Sequence, residues 1–176
     1  MCGIIGIQNN SEAATLAYMG LYAQQHRGQE GAGVVSSDGT VLHRHMGQGL
    51  VADVFSDSAV FDSLIGDSAI GHVRYSTTGN SDPKNVGPLT FNMGDYSLAI
   101  AHNGNLVNLD EIRKELQENG ALFQTSTDTE IIIHLLAREK GDTLADKLEK
   151  VLQKIEGAYS LILLSPSEII AARDPH

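Results

Sequence analysis

The order of its apolar segments is what most constrains this chain of 176 residues. A short strand pattern comes first, then one helix, several strands joined by turns, three helices in a row, and two final strands. No repeat and no regular strand–helix–strand alternation is present. Parallel neighbours need a crossover between successive strands, so this order predicts antiparallel sheet with helices packed on it, an α+β fold. The length suffices for one sizeable core.

Gly3 to Gln8 reads as a buried strand, and Ser11 as the N-cap of a helix to about Gln25 with Ala14, Leu16, Ala17, Met19 and Leu21 on its apolar face. The Gly-rich stretch His26 to Gly33 ends that helix. Val34–Ser37 and Thr40–Met46 form a hairpin whose Asp38-Gly39 is expected to supply the positive φ values of a tight turn, and Gly47-Gln48-Gly49 turns again. Val51 to Ile65 is mostly helical in pattern, and Ala69 to Tyr75 is a strand. Thr77 to Pro88 lacks periodicity and reads as a long loop of the kind that covers a site. Two strands flank Met93-Gly94-Asp95, the second being Tyr96 to His102. Asn108 with Glu111, and Thr127 with Glu130, have capping-box spacing for helices ending near Gly120 and Gly141. Asp142 opens a third helix with Leu144, Leu148, Val151, Leu152 and Ile155 on one face. Ala158–Leu164 and Glu168–Arg173 close the series, and Asp174-Pro175-His176 begins a turn that no returning strand follows. The chain is therefore expected to stop inside a domain.

Composition removes several classes. One cysteine cannot form an intramolecular disulfide, and a net charge of −10 argues against nucleic acid as a general partner. No apolar run reaches the roughly 18 to 20 residues of a membrane-spanning helix, and the N-terminus lacks the features of a signal peptide. No membrane association and a cytoplasmic location are the resulting expectations. The seven histidines show no metal-ligand spacing, so no metal site is expected.

Cys2 is the first candidate for chemistry. Initiator methionine is generally trimmed before a small residue, which would leave Cys2 with a free α-amine beside its thiol. The amine titrates at roughly 7.7–8.0 and a free thiol near about 8.5, so one residue would carry both nucleophile and base. The alternative is a small apolar residue at a strand start. In Ala101-His102-Asn103-Gly104-Asn105, the Asn103 amide and the Gly104 N–H could aim two donors at one point, as an oxyanion hole requires; Asn-Gly also marks simple turns. In Gly71-His72-Val73-Arg74-Tyr75-Ser76-Thr77, His72 and Arg74 share a face by alternation. The Arg74 fork suits a carboxylate, or it is a solvated strand-end arginine. Asp128 stands in the first turn of a helix, where an acid suits the helix dipole. It could instead receive a substrate ammonium, forming with Arg74 a clamp for both ends of a free α-amino acid. His26-Arg27-Gly28-Gln29-Glu30-Gly31-Ala32-Gly33 lacks the phosphate-loop patterns and reads as a packed turn near the nucleophile.

Met1-Cys2-Gly3-Ile4-Ile5-Gly6, His26-Arg27-Gly28-Gln29-Glu30-Gly31, Gly71-His72-Val73-Arg74-Tyr75, His102-Asn103-Gly104-Asn105 and Ser126-Thr127-Asp128-Thr129-Glu130 together resemble the N-terminal glutaminase domain of the amidophosphoribosyltransferase family, the glutamine phosphoribosylpyrophosphate amidotransferases of purine synthesis. The resemblance covers essentially the whole chain, with the motifs in the family's order. Glutaminase domains of glucosamine-6-phosphate synthase, asparagine synthetase and glutamate synthase also begin Cys-Gly, but His26 to Gly31 and His72 to Thr77 favour the purine family.

The resemblance implies a four-layer sandwich of two antiparallel sheets between helices, of the N-terminal-nucleophile hydrolase type. Residues 2–176 would be a glutaminase domain truncated at its C-terminus and lacking the phosphoribosyltransferase domain. It implies Cys2 as nucleophile, Asn103 and Gly104 as oxyanion donors, and Arg74 and Asp128 as ligands of the glutamine carboxylate and ammonium. The released ammonia would convert phosphoribosyl pyrophosphate to 5-phosphoribosylamine in a homo-oligomeric full-length enzyme. No cofactor is implied in this chain; magnesium would belong to the phosphoribosyltransferase domain, and the iron–sulfur cluster of some members to cysteines further downstream. The alternatives are an inert folding or interaction fragment, the glutaminase domain of a relative such as glucosamine-6-phosphate synthase, and a redox-sensing Cys2.

Overall fold

The computed structural model describes residues 1–75 and 82–175. In chain order its elements are β1 (Gly3–Ile7), α1 (Ala13–Ala23), β2 (Gly31–Ser37), β3 (Leu42–Gln48), the single turns α2 (Val51–Val54) and α3 (Val60–Ser63), and β4 (Ser68–Arg74). Then come β5 (Leu89–Asn92), β6 (Ser97–Leu106), α4 (Leu109–Glu118), α5 (Asp128–Arg138), α6 (Leu144–Leu152), β7 (Gly157–Leu164) and β8 (Ile169–Arg173). The strands make two four-stranded sheets, in the orders β1-β4-β2-β3 and β5-β6-β7-β8. Every pairing in both is antiparallel.

Strand alternation sorts the apolar side chains into three cores, and the cores define the layers. Val34, Ala69 and Val73 face Ala13, Ala14, Ala17 and Leu21 of α1, together with Val51 and Phe55. Val35 and Ile70, on the opposite face of that sheet, meet Ala99, Ala101 and Leu164 of the second sheet. Leu98, Ile100, Leu161 and Leu163 point the other way, onto Leu116, Ile131, Ile132, Leu136 and Leu148 of α4, α5 and α6. Alanine at 99 and 101 keeps the space between the sheets thin. The result is helix, sheet, sheet, helix, the four-layer α+β sandwich expected from the resemblance. Complete burial of each large aliphatic side chain contributes about 1.5–3 kcal/mol, so the Ile/Leu core around α5 is a principal source of stability.

Several local readings are corrected. Ser11 does not cap α1: the N-cap position is Glu12, which makes no side-chain cap, and Asn10 folds the turn before it, its Oδ1 accepting from Glu12 N–H and its carbonyl from Ala13 N–H. Met19 is exposed and Ala13 takes its place on the buried face. At the β2–β3 hairpin only Gly39 has positive φ; Asp38 instead folds the loop by accepting from the N–H groups of Thr40 and Val41. Asn108 and Thr127 make no side-chain cap. Asn108 instead ties the start of α4 to Lys154 and Glu156, while Glu130 turns back onto the preceding loop. The one capping box among these helices is Thr143 with Asp146, at α6. The expected long loop falls partly outside the described residues; its described end contains a helical turn at Pro83–Asn85.

Candidate active site

The site begins with a mismatch in strand length. β5 pairs with β6 only from Asn92↔Ser97 to Leu89↔Ile100, whereas β6 continues beside β7 to Leu106. Past Ile100, β6 thus has no partner on its β5 side among the described residues. A cavity of about 190 Å³ occupies this notch, lined by Cys2 just before β1, His72 and Arg74 of the first sheet, Gly104 of the second, Asp128 at the head of α5, and Asn85 and Gly87 of the intervening loop. Four of the five residues singled out from the sequence therefore line one cavity. Asn103 does not line it: its alternation places it with Ala99 and Ala101, on the face toward the first sheet. A larger groove of about 630 Å³ runs past Arg44, Met46, Lys84 and Phe91, and none of the candidate residues lines it.

Asn103 and Gly104 are not a turn. They continue β6, opposite Ser160 and Tyr159. Tyr159 directs its own N–H and carbonyl at Asp174, on the far side of β7. The Gly104↔Tyr159 pair is thus the close, non-hydrogen-bonded kind, and the backbone groups of Gly104 point away from β7 into the notch. The close approach explains the glycine, because a Cβ at 104 would lie 2.2 Å from the Ala158 carbonyl oxygen.

Cys2 lies just before the β1 ladder, which opens at Gly3↔Val73. Its Sγ is 3.7 Å from the Tyr75 carbonyl oxygen, and its own carbonyl accepts from Arg27 Nε at 3.0 Å. Arg74 closes β4. Its Nε lies 3.5 Å from Glu30 Oε2, and its Nη1 donates to the Asn85 carbonyl at 3.2 Å. The Gly-rich segment is the expected packed turn: a Cβ on Gly28 would stand 2.6 Å from the Arg74 carbonyl carbon and oxygen. Asn85 connects the two ends of the site, its side chain exchanging hydrogen bonds with the Ser126 hydroxyl and N–H.

Burial, chiefly, raises the carboxyl of Asp128 above the usual carboxylate range, against the Leu106 N–H and Arg113, which favour its charged form. The acid two residues on behaves differently. Glu130, 1% exposed, accepts from the N–H groups of Gln124 and Thr125 and from the Thr125 hydroxyl. It thereby fixes the loop that presents Asp128. His72 and His102 are buried neutral. Desolvation holds both at about 4, with His102 and Arg74 adding to the effect on His72. Among the described residues, no group of three or more His, Cys, Asp or Glu side chains is placed to hold a metal ion, and no helix is long and apolar enough to cross a membrane.

Arg27, Asn85 and Glu130 were not singled out as site residues from the sequence. Arg27 stood in a motif already noted for its packing, whereas Asn85 and Glu130 act through contacts that spacing does not reveal.

Cys2, Arg74, Gly104 and Asp128 thus meet in one cavity at the side of a four-layer sandwich. Residues 72–176 accordingly match the family model described as a glutamine amidotransferase domain. Over 176 residues the chain is 48% identical to amidophosphoribosyltransferase 2, chloroplastic, of Arabidopsis thaliana, covering 99% of this chain and 31% of that protein. It is 45% identical to the amidophosphoribosyltransferase of Bacillus subtilis (99% and 37% covered) and 42% identical to that of Lacticaseibacillus casei (99% and 90%). The chain thus spans about a third of the first two relatives. Among solved structures, the allosteric regulatory enzyme of purine biosynthesis superposes with a TM-score of 0.94 at 44% identity, covering 99% of this chain and 37% of the other. The glutamine phosphoribosylpyrophosphate amidotransferase of B. subtilis complexed with ADP and GMP gives 0.91 at 43%, with the same coverage. The chain belongs to the amidophosphoribosyltransferase family.

Proposed function

We propose that residues 2–176 form most of a glutaminase domain that hydrolyses the side-chain amide of glutamine at Cys2. Once Met1 is removed, the α-amine of Cys2 takes the thiol proton and the thiolate attacks the amide carbon. The tetrahedral oxyanion is held by the Gly104 N–H, and the Asn103 amide, on the face toward the sheet that Cys2 precedes, turns in from outside the cavity lining as second donor. Collapse breaks the C–N bond, the proton on the amine passes to the leaving nitrogen, and ammonia departs, leaving a γ-glutamyl thioester. Water, deprotonated by the same amine, then hydrolyses the thioester to glutamate and free thiol. Arg74 binds the α-carboxylate of glutamine and Asp128 its α-ammonium, so both ends of the substrate are paired in a site where burial strengthens charge.

The observation that carries this reading is the convergence of Cys2, Arg74, Gly104 and Asp128, from four separate segments, on one cavity. In the whole cytoplasmic enzyme, a homo-oligomer, the ammonia passes to a C-terminal phosphoribosyltransferase domain and displaces pyrophosphate from phosphoribosyl pyrophosphate to give 5-phosphoribosylamine. Magnesium chemistry belongs to that domain; none of the steps above uses a metal.

Replacing Cys2→Ser is expected to lower glutamate release by at least about 1,000-fold, since an alcohol is a far weaker nucleophile at neutral pH. Unchanged release would remove Cys2 from the mechanism. No release even from the unsubstituted protein would favour the inert-fragment alternative.

A further inference from the structure

Asn85 takes no part in the steps above, yet it is 5% exposed and lines the cavity together with Arg74 and Asp128. It ends the helical turn Pro83–Asn85, where its N–H donates to the Asp82 carbonyl at 2.9 Å and the Asp82 carboxylate accepts from the Lys84 N–H. From this fixed place its backbone and side chain serve different partners. The backbone carbonyl accepts from Arg74 Nη1 at 3.2 Å. The side-chain amide meets Ser126, Nδ2 donating to the hydroxyl at 3.0 Å and Oδ1 accepting from the N–H at 3.2 Å. The second of these bonds fixes which end of the amide is oxygen, because the Ser126 N–H can only donate. Ser126 stands two residues before Asp128, and its neighbour Thr125 is held through N–H and hydroxyl by Glu130. One buried residue therefore ties the cation at the end of β4 to the loop that presents the acid at the head of α5.

We infer that Asn85 is a positioning residue that sets the separation between Arg74 and Asp128, and so makes the site selective for a substrate carrying a carboxylate and an ammonium on one carbon. The inference rests on the glutaminase reading. In a free α-amino acid the two charged groups hang from a single atom, so their separation is fixed. A site gains from engaging both only when its own two charges are held to match, and the gain vanishes when geometry forbids simultaneous pairing. Arg74 belongs to the first sheet, whereas Asp128 belongs to the helix layer packed on the far side of the second. The three hydrogen bonds of Asn85 run directly from one to the loop of the other. Without them each residue can still pair with its own end of the substrate, but the match between the two ends is lost.

Three compounds separate this role from general support of the cavity. Glutamine carries both charges, glutaramate is glutamine without its amine, and γ-aminobutyramide is glutamine without its carboxylate. In steady-state glutaminase kinetics, Asn85→Ala is expected to raise the KM for glutamine about 10- to 100-fold. The inhibition constants of glutaramate and γ-aminobutyramide against glutamine hydrolysis should change by less than about threefold, since each uses one charged ligand only. Ser126→Ala removes only the hydroxyl bond, at an exposed residue, and is expected to give the same pattern with a KM rise of about 3- to 10-fold. If Asn85→Ala does not fold, Ser126→Ala decides alone. A loss as large for either single-ended compound as for glutamine, or an unchanged KM for glutamine, overturns the spacing role while leaving the glutaminase reading intact. Absence of glutamate release from the unsubstituted protein overturns both.

Discussion

Asp128 shows how a residue proposed for the site can be unfavourable to the fold. Its carboxylate is kept in a partly desolvated place where the Leu106 N–H and Arg113 compensate incompletely, and its pKa is raised accordingly. In the proposed function the substrate ammonium supplies the missing partner. At neutral pH the folded state therefore carries a partly buried charge that the unfolded chain would solvate freely. Asp128→Asn removes that charge at nearly the same side-chain volume. Its melting temperature at pH 7 is expected to equal or exceed that of the unsubstituted protein, while the KM for glutamine rises about 10- to 100-fold, the loss of a charge-assisted bond. A KM that stays put in a calorimetrically intact variant would remove Asp128 from the substrate site. Glycine works differently at this scale. Gly104 is required by the backbone of β7 at 2.2 Å, whatever its part in catalysis.

Among elements, the notch exists because β5 is 4 residues long and β6 is 10. The sequence showed an apolar strand ending at His102 and an Asn-Gly pair, for which a turn is the usual reading. What extends β6 is β7, whose register across from Asn103 and Gly104 is a long-range fact that no local pattern contains. The capping residues mislead for a similar reason. Thr127 and Glu130 have the right spacing, but Glu130 finds three donors in the loop before the helix and none at the cap. Strand and helix periodicity, by contrast, was readable for most elements, though Val51 to Ile65 yields only the single turns α2 and α3; Cys2, Arg74, Gly104 and Asp128, chemistry-bearing residues at or near element ends, were singled out and line one cavity. Glu130→Gln would turn one acceptor oxygen into a donor facing other donors, at a cost of about 1–3 kcal/mol. Urea unfolding is expected to show that loss together with a raised KM for glutamine, since the loop presenting Asp128 loosens. Stability equal to that of the unsubstituted protein would mean that Glu130 does not hold the loop.

For the whole molecule, burying two neutral histidines, His72 on β4 and His102 on β6, makes stability depend on pH. His72 and His102 stand at about 4, against roughly 6.5 in an unfolded chain. Between those values the unfolded chain binds more protons than the fold, so stability is lost as pH falls from about 6.5 to about 4 and levels off below. Two such groups give a slope of up to roughly 2–3 kcal/mol per pH unit. Melting temperature is expected to drop steeply across that window, and His72→Gln to halve the slope; a flat profile would show that the two rings are not held neutral. The layered design joins this to function, since the same inter-sheet seam brings Cys2 of the first sheet to Gly104 of the second. That Cys2 acts as an N-terminal nucleophile on glutamine is the central claim, and intact-mass spectrometry after incubation with a diazo-ketone analogue of glutamine tests it most directly. The expected mass lacks Met1 and carries one analogue adduct, on Cys2, that excess glutamine prevents; Met1 retained in an active protein, or an adduct on any other residue, would contradict it.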